Sequence, residues 1–163
     1  MKDLMILFIL LFSFPVFSSD LRGRLGIGAS NQLANGIPAL SFKIQQNKTY
    51  ALGGVLGFQS NDDNTLYGAG LKFYRIIFDE PQLNFYFAGM FASENYVDEI
   101  KSETKYGYQV DGTFGSEFHF HGLESIGFSF EFGITARNAD SKRGTSLETM
   151  GDQFLKAAVH FYL

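Results

Sequence analysis

From residue 126 to residue 136 the chain alternates without a break. Ile126, Phe128, Phe130, Phe132, Ile134 and Ala136 fall on one side of an extended segment, and Gly127, Ser129, Glu131, Gly133 and Thr135 on the other. A period of two is the signature of a β-strand with one greasy face. The second face carries glycines, hydroxyls and one carboxylate instead of the Lys and Glu that water-facing surfaces normally show. Such a strand turns its bulky side to lipid and its small polar side inward. When the pattern recurs an even number of times, with short and long connections alternating, the chain is a transmembrane β-barrel.

The pattern recurs eight times, over residues 21–30, 38–46, 49–60, 65–77, 83–93, 105–118, 126–136 and 150–163. The longer, polar connections are 31–37, 61–64, 94–104 and 137–148; those after the even strands are shorter. This asymmetry predicts an all-β, eight-stranded antiparallel up-and-down barrel, with the long loops outside the cell and both termini on the periplasmic side. A near-zero mean hydropathy is no objection, because alternating residues cancel in any window average.

Residues 1–18 are set aside as an export signal. Lys2 gives a positive start, the apolar run spans 4–17, and Val16, Phe17 and Ser18 suit cleavage after Ser18, with Ser19 the alternative. That run is about 14 residues, short of the roughly 20 that a membrane helix needs. Residues 19–163 form the barrel domain, a single unit. The chain has no cysteine, which excludes a disulfide, a thiolate metal site and a lipid-modified Cys. Its net charge of -4 argues against a nucleic-acid partner.

The competing architecture is a soluble eight-stranded ligand carrier, with its apolar face inside. Glycine placement decides between the two. Ten of the 18 glycines (Gly26, Gly28, Gly53, Gly57, Gly68, Gly70, Gly107, Gly115, Gly127, Gly133) share the polar face. An eight-stranded lumen is only wide enough for side chains to fill, so small residues are required wherever Arg, Lys, Glu and Tyr point in. The polar face is therefore the inside.

In the last strand Leu155, Ala157, Val159, Phe161 and Leu163 alternate up to the C-terminal residue. On this pattern the chain resembles the small eight-stranded outer-membrane proteins of Gram-negative bacteria, similar to the transmembrane domain of outer membrane protein A. The resemblance implies an outer-membrane location and recognition of those five residues by the barrel-assembly machinery. The family usually ends in Phe; here Leu163 is last and Phe161 stands two before it.

The inward charges are Arg22, Arg24, Lys43, Lys72, Lys105 and Lys156 against Asp111, Glu117 and Glu131. Burying an unpaired charge costs several kcal/mol in effect, so these groups are expected to pair and plug the lumen, leaving no large channel. Glu131 and Lys156 are neighbours in the expected register and should bridge.

His119 and His121 share strand parity but lack a third ligand, which favours anchoring at a periplasmic turn over a metal site. No Ser, His and acid converge on one rim, so no catalysis and no cofactor are expected. The acidic loop residues Asp62, Asp63, Glu94, Asp98, Glu99 and Glu103 are candidates for a divalent cation. Arg137, Lys142 and Arg143 are candidates for lipopolysaccharide phosphates. Outward Gly54 and Gly89 would let lipid or a second barrel approach. The expectation is a structural or surface-interaction protein in contact with outer-membrane lipid and lipopolysaccharide. A narrow pore, a lipid-binding or homo-oligomeric barrel and a lipid A-modifying enzyme are the alternatives.

Overall fold

The computed structural model describes residues 22–61, 64–98, 103–140, 144–149 and 155–163. The expected export signal, Leu21 and the start of the eighth strand at Met150 lie outside them. The strands are β1 (Leu25–Ser30), β2 (Ala39–Gln45), β3 (Tyr50–Ser60), β4 (Thr65–Glu80), β5 (Leu83–Asp98), β6 (Glu103–Phe120), β7 (Leu123–Asp140), β8 (Gly144–Glu148) and β9 (Lys156–Tyr162). Each strand from β1 to β7 pairs antiparallel with the next. The sheet closes because β9 pairs with both β7 and β1. β8 and β9 both pair with β7 and share the eighth position in the wall, so the molecule is a closed eight-stranded up-and-down barrel.

Polarity runs opposite to that of a water-soluble barrel. Leu71 is 77% exposed and its neighbour Lys72 only 5%. On β6, Phe114 and Phe118 are exposed while Thr113 and Glu117 are buried. Because successive side chains alternate faces, a one-residue slip would invert the whole pattern. The register Gly115↔Glu131 and Tyr86↔Gly115 keeps every strand in phase. Gly115 is needed at that point: a Cβ there would stand 2.7 Å from both Glu131 and Tyr86, two of the largest inward side chains.

Three strands outrun the sequence expectation. Residues 94–104 and 137–148 were expected as loops, yet β5 and β6 stay paired out to Asp98↔Glu103, and β7 continues to Asp140 against β8. Alternating hydrophobicity marks a strand only where one face is greasy. Beyond the apolar belt the ladder continues on backbone hydrogen bonds alone, and the pattern falls silent.

A second feature concerns the 31–37 connection, expected as a polar loop at the end of the barrel that faces outside the cell. It folds into the mouth at the loop end. Leu33 and Ile37 are 0% and 2% exposed and pack with Ala39, Val55, Met90 and Ala92. Gly57 makes room: a Cβ there would lie 2.6 Å from Leu33.

Candidate functional site

Among the described residues the interior gathers buried polar and charged side chains, and it is layered. Nearest the short turns sits Glu117, 0% exposed, carried inward by β6. Lys43 reaches it from β2, on the far wall, with Nζ 2.5 Å from Oε2. The Tyr162 hydroxyl donates to Oε1 at 2.6 Å, and Ser129 donates at 3.4 Å. The ammonium also faces two aromatic rings, 4.8 Å from the Tyr74 centroid and 5.1 Å from that of Tyr86, a favourable use of the ring quadrupole in a dry site.

The next layer is built on Glu131 of β7. Lys72 donates to Oε2 at 2.5 Å and Thr113 at 2.8 Å, while Tyr86 and the Gln32 amide each donate to Oε1 at 3.0 Å. Four donors around one carboxylate leave little of it unsatisfied, which is the condition for keeping a charge out of water. Lys156 does stand opposite Glu131 in register. The ammonium hydrogen-bonded to Glu131 Oε2 is that of Lys72, a partner the expected register did not suggest. The ammonium comes from three strands away across the lumen. A sequence register reveals neighbours in the wall and is blind to what meets through the interior.

The third layer joins the 31–37 segment to the wall. The Gln109 amide donates to the Gln32 carbonyl at 3.0 Å and to Asp111 Oδ2 at 2.6 Å, and its oxygen accepts from the Ala34 N–H at 2.8 Å. Glu94 accepts from the Asn35 N–H at 2.9 Å, and Arg137 donates to the Ala34 carbonyl at 3.3 Å. The Asn35 side chain ties to the carbonyls of Tyr67 and Asn95. Asn31 exchanges hydrogen bonds with Ala157 of β9, and beyond it the segment has its polar groups met from four further strands, as a buried loop requires.

Other expected residues fall elsewhere. Arg24 is half-buried at the turn-end rim, where it donates to the Tyr162 carbonyl at 2.6 Å, Ser125 Oγ at 3.1 Å and the Leu163 carbonyl at 3.3 Å. Arg22 is exposed beside Gln45. Both precede β1, which begins only at Leu25, so they stand at the turn end of the barrel and not at the height of the three layers. Lys156 and Asp111 are buried, and Lys105 is half-buried. Leu155, Phe161 and Leu163 are exposed on the outer face, with Ala157 and Val159 half-buried on the same side.

His119 is not a surface anchor. It is 4% exposed, 3.9 Å from Glu117 and 5.8 Å between ring centroids from Tyr162, whereas His121 is exposed in the turn near Glu124. β6 runs on to Phe120, so the turn begins two residues later than expected. No group of three or more metal-ligating side chains forms among the described residues. Of the acidic loop candidates, Glu94 is buried in the 31–37 contact. Asp98 and Glu103 are strand residues, and Asp62, Asp63 and Glu99 lie outside the described residues. So do Lys142 and Arg143, while Arg137 pairs with Glu148 at 3.4 Å. Gly54 and Gly89 face outward with only backbone oxygens near their missing Cβ positions, at 3.4 and 3.8 Å.

One constellation escaped the sequence reading. Ser41 Oγ lies 2.8 Å from His160 Nε2, and His160 Nδ1 lies 3.9 Å from Glu117. The order Ser, His, acid invites comparison with a hydrolytic triad. The Nδ1 separation exceeds hydrogen-bond range, so the acid does not orient the ring, and all three residues are at most 1% exposed. The three come from β2, β9 and β6, and only barrel closure brings them together.

No known family model matches the chain, and no curated protein matches it in sequence. In three dimensions it is similar to the crystal structure of the N-terminal β-barrel domain of Pseudomonas aeruginosa OprF. The TM-score is 0.61 and the identity 12%, over 87% of this chain and 98% of that one. The two share the eight-stranded barrel fold.

Proposed function

We propose that this chain is an outer-membrane β-barrel of a Gram-negative cell, with a structural or surface-interaction role, a closed lumen and no catalysis. The observation that carries the reading is the inverted polarity. Three lysines and four carboxylates (Lys43, Lys72, Lys156, Glu94, Asp111, Glu117, Glu131) are buried, while a belt of Leu, Ile, Val and Phe is exposed around the wall. In water that belt would far exceed the apolar patch a soluble monomer carries; in lipid it is the required surface. Tyr67, Tyr106 and Tyr108 at the loop end supply the amphipathic rings favoured at a membrane boundary.

The lumen is read as closed because the Lys43–Glu117 and Lys72–Glu131 pairs span it and the 31–37 segment covers one end. The Ser41, His160 and Glu117 cluster is read as part of that filling, since all three residues are buried. Outer-membrane lipid and lipopolysaccharide are the partners this surface suits, with the alternating Leu155–Leu163 face as the signal to the assembly machinery.

Fractionation of producing cells should place the chain in the outer membrane, and purified protein in planar bilayers should give at most small, rare conductance steps. A folded soluble pool would defeat the location. Steady conductance of the general-porin kind would defeat the closed lumen.

A further inference from the structure

The outer face of the barrel carries a cation where its apolar belt would otherwise be continuous. Arg75 is exposed on β4 and makes no ion pair or hydrogen bond among the described residues. It sits in the outward row Tyr50↔Arg75↔Phe87↔Phe114↔Phe132. Tyr50 is the first residue of β3, at the turn end, whereas Phe132 lies well inside β7. The row therefore climbs away from the short turns as it passes from β3 to β7.

Beside it the surface has a hole. The next outward row, one step toward the turns, reads Phe78↔Phe85↔Ser116↔Phe130. Ser116 is the small residue in a carpet of rings, with Phe87, Phe114 and Phe132 packed on one side of it and Phe118 against Phe130 on the other. The register irregularity between Ile76 and Phe78 adds Ile77 to the outer face at one end. The result is a groove of about 620 Å³ running from Ile77 and Phe85 over Ser116 to Phe132 and Leu155. Its walls are almost wholly apolar; Arg75 stands beside it, two residues along β4 from Ile77, and the exposed Glu80 lies beyond Phe78 at the same end.

A long apolar channel with a guanidinium beside its lower part matches one class of molecule. We infer that this face binds a glycerophospholipid with an anionic headgroup, its phosphate on Arg75 beside the Tyr50 hydroxyl and one acyl chain along the Ser116 groove. The guanidinium's planar fork suits a phosphate, and the groove supplies what a chain otherwise takes from its lipid neighbours. The leaflet is the one at the short-turn end. This inference rests on the membrane reading above.

The test is native mass spectrometry of detergent-purified protein given equal amounts of palmitoyl-oleoyl phosphatidylglycerol and phosphatidylcholine. Wild type should retain one phosphatidylglycerol per barrel, at least ten times as often as phosphatidylcholine. Arg75→Gln should reduce phosphatidylglycerol to the phosphatidylcholine level, and Ser116→Phe should lose it with the cation intact. Each variant is checked for the heat-dependent gel shift of a folded barrel, which neither outward substitution should change. Equal retention of the two lipids by wild type, or undiminished retention by Arg75→Gln, would overturn the inference. A folded, detergent-dependent barrel that holds no phosphatidylglycerol defeats only this inference, whereas a barrel that stays folded and monomeric without detergent defeats the membrane reading itself.

Discussion

At the scale of single residues, the interior is decided by which charge finds which partner. Glu131 is held by Lys72, Thr113, Tyr86 and Gln32, so removing its carboxylate leaves a buried ammonium unanswered. Glu131→Ala should lower barrel stability by about 3 kcal/mol, the scale of a broken buried pair. In a double-mutant cycle, Lys72→Met should couple to that change by about 1 kcal/mol or more. Lys156→Met should couple measurably less, although Lys156 is the residue opposite in register. Urea unfolding in lipid vesicles measures the three single and two double variants, and equal coupling by the two lysines would show that the pairing is wrong. Tyr162→Phe should cost about 2 kcal/mol, because a hydroxyl bonded to a buried carboxylate is worth more than one bonded to a neutral group.

At the scale of elements, the 31–37 segment behaves as a ninth packing unit rather than a loop. Leu33→Ala should cost about 3 kcal/mol by opening a cavity among Ile37, Val55, Met90 and Ala92, and should leave the two ion-paired layers beneath it closed. Stability measured by unfolding should fall while bilayer conductance stays at the wild-type level; a rise in conductance would assign the seal to this segment alone. Its sequence held a faint signal, two bulky apolar residues in a stretch otherwise polar or small. Nothing in a linear reading says whether such residues turn inward. The strands were legible wherever one face was greasy, and the inside and outside assignment of Lys72, Glu117, Phe114 and Leu71 follows from alternation alone. The outer parts of β5, β6 and β7 were not legible, because there both faces are polar. Arg22 and Arg24 share the inward parity yet end at the rim, since parity fixes the side a residue takes and not its height in the barrel.

At the scale of the whole molecule, the same alternation that makes eight amphipathic strands makes one closed wall with its polar groups inside. Charges meet from opposite walls: Lys43 and Glu117 come from β2 and β6, and Lys72 and Glu131 from β4 and β7. On the membrane reading proposed above, such a structure needs an apolar solvent around it, because exposure of its belt to water would remove the reason for the arrangement. The decisive property is therefore where the chain can fold. Residues 19–163, unfolded in urea and diluted into phosphatidylcholine vesicles, should gain β-sheet circular dichroism and a heat-dependent gel shift. Diluted into buffer without lipid or detergent, they should gain neither. Folding to a monodisperse, heat-shifting monomer in plain buffer would contradict the account.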